Sequence, residues 1–175
     1  VEIDNTQPWR KKHLSALRTN YAKAEFFDEV YPLVQDVYGR DHTRLGDIGV
    51  DLIEELCRYL GGTVRVVRSS SLDEVTGDNT ERLTQLVRLA GGNVHLTSTF
   101  GTDRRYVDWE RMRAAGVGIR SQVFEHPVYE QLWEGFVPNL ATPDMLCNCG
   151  RATAKILEAN RRLDLVGQPS TQVAS

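Results

Sequence analysis

The chain has 175 residues, 41% apolar and 26% charged, with a net charge of -3 and three cysteines. That is enough for one domain with a hydrophobic core. It argues against nucleic acid as the main partner, because no basic block clusters Lys and Arg. It also argues against a membrane span, since no apolar run nears about 20 residues, and against a disulfide scaffold, since three Cys cannot all pair. The opening VEIDNTQPWRKK lacks a signal peptide's apolar core, so the expectation is a reducing cytoplasm. Val1 in place of Met raises the expectation of a trimmed chain, a fragment or an alternative start codon.

In chain order, Pro8 opens a helix whose inner stripe is Trp9, His13, Ala16, Leu17, Tyr21 and Ala24. Lys11, Lys12 and Arg18 are then expected to face water. A second helix runs from Phe26 to Tyr38, ending at Gly39. A third carries Leu45, Ile48, Leu52, Ile53, Leu56, Tyr59 and Leu60 and closes at Gly61-Gly62. The period then changes. TVRVV (63–67) reads as a strand and SSSLDEVTGDN as a loop. Asp78 with Glu81 forms a capping pair for a helix burying Leu83, Leu86, Val87 and Ala90. NVHLTS (93–98) is a strand, 107–115 a helix, and VGIRSQVF (117–124) a strand.

This alternation predicts an α/β fold: a Rossmann-like parallel sheet of at least three strands with flanking helices and a helical N-terminal part. A single domain is expected over 1–165, with a disordered tail over 166–175. In such sheets ligands sit beyond the carboxyl ends of the strands. Those ends are Arg68-Ser69-Ser70, Thr97-Ser98-Thr99 with Gly101, and Glu125-His126.

The run FEHPVYEQLWEGFVPNLATPDMLCNCG (124–150) mixes a His, aromatics, prolines and two Cys. Cys147 and Cys149 form a CxC with no second pair, so no metal is expected. His126, with Cys149 as a less favoured nucleophile beside it, is the candidate acid–base group; otherwise it fixes its loop through backbone hydrogen bonds. His13 reads as packing, His95 as core or sheet face, and His42 as solvated. Thr142-Pro143-Asp144 reads as a helix start, with Thr142 as N-cap and Pro143 at the first position. Tyr106, Tyr129, Trp133 and Phe136 are candidates for a pocket wall.

Four ordered stretches carry a resemblance: WRKKHLSALRTNYAKAEFFDEVYPL, LCRYLGGTVRVVRSSSL, NTERLTQLVRLAGGNVHL and the 124–150 run. Over Trp9–Gly150 the chain resembles the C-terminal two-thirds of a WbqC-like protein. Relative to that pattern it lacks the opening strand and His-Gln-Pro-type turn. It also carries Thr97-Ser98-Thr99-Phe100-Gly101 where a Gly-rich turn is usual. The resemblance implies a cytoplasmic biosynthetic transferase acting on a nucleotide-activated sugar or amino-modified intermediate, in surface-polysaccharide or natural-product assembly. Its pocket would be lined by Arg68, Ser69, Ser70, Ser98, Gly101, Tyr106 and Asn139, with His126 as acid–base group and the 124–150 run as a lid. No cofactor is named. The expected partner is a small-molecule substrate, nucleotide-linked in the leading case, with a homo-oligomer or another chain pairing at a free sheet edge. The alternatives are a non-catalytic partner subunit and a nucleotide-binding regulator.

Overall fold

The computed structural model describes residues 1–98 and 107–165. Gly101 and Tyr106 lie outside these residues, as do the loop at 99–106 and the expected tail at 166–175. The fold is α/β. The chain forms two compact units, one of residues 1–66 with 126–160, the other of 67–125 with 161–175.

The first unit is helical. Helices α1 (Trp9–Tyr21), α2 (Phe27–Gly39) and α3 (Leu45–Tyr59) are followed, later in the chain, by α6 (Thr142–Cys149) and α7 (Thr153–Ala159). Its core joins Ala24, Phe27, Val30, Tyr31, Tyr59, Leu146 and Cys147. α2 owns most of this core because its apolar residues recur at i, i+3, i+4 and i+7. α1 differs: none of its residues is buried. Of its predicted inner stripe, Leu17 and Tyr21 are half-buried against the core, whereas His13 and Ala16 are exposed. α3 likewise buries only Ile48 and Tyr59, and Leu45 and Ile53 are exposed.

The second unit holds α4 (Asn79–Leu89), β1 (Val94–Ser98), α5 (Trp109–Ala114), β2 (Gly118–Phe124) and β3 (Arg161–Leu165). The Asp78–Glu81 capping box forms as expected. Arg111 on α5 then reaches back to both acids, at 2.6 Å from Asp78 and 2.9 Å from Glu81. Asp108 caps α5, and its N–H donates to Thr80 Oγ1 at 2.9 Å. Val107, Trp109, Met112, Val117 and Ile119 make the core beneath these helices.

The sheet order is β1-β2-β3. β1 and β2 are parallel, pairing Val94 with Gly118 through Ser98 with Gln122. β3 runs antiparallel to β2, pairing Phe124 with Arg161. The sheet is therefore mixed, not all-parallel. The sequence reading missed β3 because RRLDL carries little β-branched signal. Thr63–Val67 is no strand in the structure: β-branched residues favour a strand only where a ladder partner exists.

Candidate functional site

The helical unit contains a cavity of about 470 Å³ beside α1. The apolar stripe of α1 meets it through Ala16 and Leu17, and α3 supplies Leu52 and Leu56. Polar groups reach it from His13, Asn20, Tyr21, Tyr38 and Thr142. A second cavity of about 370 Å³ adjoins it, sharing His13, Tyr38 and Leu52. Ala16 on α1 and Leu45 on α3, both exposed, line these spaces. His13 Nδ1 lies 3.4 Å from the Tyr38 hydroxyl, and Trp9 meets both rings edge-on.

Behind the cavity wall stands a buried carboxylate. Asp144 is 4% exposed. It accepts from the Tyr129 hydroxyl at 2.7 Å and from Gln131 Nε2 at 2.9 Å. Burial, then the neighbouring Asp144 charge, raises the Tyr21 phenol above its ordinary value. Tyr129 is pushed up to about 12 by burial and by its hydrogen bond to Asp144. Cys147, buried near the same carboxylate, is pushed up to about 11, and Cys149 also rises. A carboxylate surrounded by donors holds both phenols in the neutral, donating form. Neither thiol is poised as a thiolate.

Asp144 thus does more than favour a helix dipole. Ala141 is the N-cap, with no side-chain cap, so Thr142 is the first helical residue rather than the cap. Thr142 instead lines the cavity, and Asp144 ties the first turn of α6 to the preceding loop.

That loop is built around His126. A backbone N–H can only donate, so the Asn139 N–H, 3.2 Å from Nε2, makes that nitrogen the acceptor. The proton then sits on Nδ1, which donates to the Pro127 carbonyl at 2.9 Å. Asn139 reaches this position with φ 60°, a left-handed backbone that Asn tolerates better than most residues. Tyr129 and Phe136 pack around the imidazole. Gln131 bonds Val137 in both directions, and Trp133 Nε1 donates to the Asn20 carbonyl on α1 at 3.1 Å. Acid–base work by His126 requires one of its two backbone bonds to open.

Of the residues expected to form a pocket, the structure joins His126 and Asn139 directly. Arg68, Ser69 and Ser70 belong to the second unit; Ser69–Ser71 form one 3-10 turn, closed by Ser71 Oγ donating to the Arg68 carbonyl at 2.8 Å. Ser98 ends β1, exposed. His42 is buried, not solvated: its Nε2 lies 3.0 Å from Asp51. His95 stacks on Trp109, and burial lowers its pKa. No group of three or more His, Cys, Asp or Glu among the described residues could hold a metal ion. None of the described helices is long and apolar enough to cross a membrane. Asn20, Tyr21, Gln131 and Thr142 were not singled out as site residues from the sequence. A polar pair, Asn20-Tyr21, at the end of an apolar stripe was the available signal.

The model of the WbqC-like protein family matches residues 1–156. The chain belongs to the WbqC-like family. It is similar to the uncharacterized protein Rv1507c of Mycobacterium tuberculosis, 34% identical over 152 residues. That match covers 85% of this chain and 63% of the relative, so the chain spans less than two thirds of the relative's length. No solved structure matches it.

Proposed function

We propose that this WbqC-like chain is a biosynthetic transferase acting on a nucleotide-activated sugar or amino-modified intermediate, in surface-polysaccharide or natural-product assembly. The observation that carries the reading is the cavity of about 470 Å³ in the helical unit. Its size suits a small molecule, and an apolar wall with a few convergent polar groups is the usual make-up of such sites. The neutral Tyr21 phenol orients a ligand by hydrogen bonding, and His13 supplies the imidazole on the wall. Asp144 and the loop closed by His126 and Asn139 are positioning groups: they fix Thr142 and the N-terminus of α6 at the cavity's edge. Reading the second unit as Rossmann-like is supported by the parallel pairing of β1 and β2, with α5 between them in sequence.

The test is transfer itself. The chain is incubated with nucleotide-sugar, acyl and aminoacyl donors, and products are followed by mass spectrometry. Ala16→Phe places a ring in the cavity from an exposed helix position and should abolish turnover while cooperative unfolding persists. Turnover unchanged in that variant would refute the location. No product with any donor class would refute the reaction class.

A second reading, a partner subunit, is favoured by one observation. Register places Val94, Leu96, Phe124 and Leu163 on one face of the sheet, and all four are exposed. Stable association with another chain would cover that face, and light scattering on the purified chain would detect a self-pairing.

A further inference from the structure

α1 is a basic helix in an acidic chain. Between Trp9 and Tyr21 it carries Arg10, Lys11, Lys12 and Arg18 and no carboxylate, while the whole chain has a net charge of -3. Two of these cations sit where the helix dipole opposes them. Arg10 and Lys11 occupy the first turn, which holds no acidic residue. Cations there cost stability, so their placement works against the helix dipole.

Their surroundings separate them from an ordinary solvated face. Elsewhere Arg40, Arg58 and Arg111 each lie against carboxylates. Arg10, Lys11 and Arg18 make no ion pair among the described residues. Arg10 is fixed by neutral oxygens, donating to the Tyr38 carbonyl at 2.9 Å and Asn5 Oδ1 at 2.7 Å, and it lies over the Trp9 ring. Arg18 lies over the Tyr31 ring, 4.8 Å from its centroid. Arg10 is therefore held by hydrogen bonds and a ring, Arg18 rests on a ring, and neither is paired with a carboxylate among the described residues. With Lys11 they line a groove of about 450 Å³ between α1 and α2, whose other polar side chains are Ser15, Tyr31, Gln35 and Tyr38. No carboxylate lines it.

Held guanidinium groups, a flexible ammonium and hydroxyl and amide donors are the chemistry that recognises phosphoryl oxygens. One phosphoryl group carries about -1.5 to -2 charge near neutral pH and leaves part of three positive charges unmatched. Arg10 and Arg18 are two helical turns apart, roughly 12 Å along the axis, which also favours more than one phosphoryl group. We infer that the α1–α2 groove binds the diphosphate of a small-molecule ligand. Arg18 and Lys11 contact its oxygens, and Arg10 contributes a fixed positive field. This groove is distinct from the 470 Å³ cavity, although Tyr38 lines both. The inference does not rest on the transferase reading.

Calorimetric titration of the 175-residue chain with inorganic pyrophosphate tests the groove without any transferable group. The expected result is saturable one-to-one binding, tighter than that of inorganic phosphate. Lys11→Gln and Arg18→Gln should each weaken it about tenfold, the effect of one lost charged hydrogen bond. Lys12→Gln removes the same charge from the same helix but outside the groove, and should change affinity less than about twofold. Thermal unfolding without ligand checks each fold. If Arg18→Gln unfolds, Lys11→Gln, at an exposed position, carries the test. A nucleoside diphosphate or an isoprenyl diphosphate binding more tightly than pyrophosphate names the ligand's source. Absence of saturable pyrophosphate binding overturns the inference. So does equal binding of phosphate, or an equal loss in Lys12→Gln. Failure here leaves donor turnover unaffected, so the two readings fail separately.

Discussion

Asp144 shows how one residue can join sequence-local and long-range roles. In the chain it follows Thr-Pro and opens a helix; in space it is the buried acceptor that ties loop to helix. Its worth can be measured. Tyr129→Phe removes a hydrogen bond to a charged acceptor and should lower unfolding free energy by about 1.5–3 kcal/mol in urea titrations. Asp144→Asn should cost a similar amount, because Tyr129 and Gln131 both donate to the carboxylate. Cys147 gives a pH signature. Its thiol is raised to about 11 in the folded state, so the native chain holds that proton more tightly than the unfolded chain does. This contribution is fully present below the unfolded thiol's value, about 8.5, and is lost as pH rises toward 11. Stability should therefore fall on the alkaline side across that window, and Cys147→Ala should flatten the fall. An equally steep fall in that variant would assign the effect elsewhere.

At the scale of elements, Gly150 ends α6 with φ 54°, and an added Cβ would sit 2.4 Å from the Phe26 ring. Gly61 also has positive φ, but a Cβ there meets nothing within 4 Å. Gly150→Ala should therefore destabilise by about 1–3 kcal/mol more than Gly61→Ala, the difference being overpacking alone. Denaturant midpoints of the two variants decide it. The α4 capping box responds to acid. Asp78 is held below its ordinary value by the Glu81 N–H and by Arg111, so its contribution is present above about pH 4 and is lost as pH falls through the lower folded value. Asp78→Asn should remove part of the acid-induced drop in melting temperature.

Local chemistry made α2, α3, α4 and the Asp78–Glu81 box legible from the sequence, because apolar period and terminal glycines agreed, with the capping box added for α4. β1 and β2 were legible as short runs with β-branched residues that follow helix-ending glycines. β3 and the fate of Thr63–Val67 were not, since both depend on ladder partners distant in sequence. The site was legible only in part. His126 stood out as an ionisable residue in an odd loop, and the structure places its Nε2 against the Asn139 N–H. The cavity was hidden inside what looked like core periodicity: a stripe such as His13, Ala16, Leu17 and Tyr21 reads the same whether it meets another helix or an open space.

At the scale of the molecule, the two units divide the work differently. The sheet unit has its helices' core on one face and exposed apolar side chains on the other. The helical unit keeps three adjoining spaces around α1, with Tyr38 lining all of them. A unit that leaves part of the apolar faces of α1 and α3 unburied forgoes stability that an occupant of those spaces would restore by mass action. Thermal unfolding of the chain and of Ala16→Phe, against nucleotides, nucleotide-sugars and acyl or aminoacyl donors, tests this most directly. One ligand class should raise the melting temperature of the parent chain, and the variant, equally cooperative, should lose that rise. A panel that moves neither chain, or moves both equally, would contradict the claim that this cavity is the ligand site.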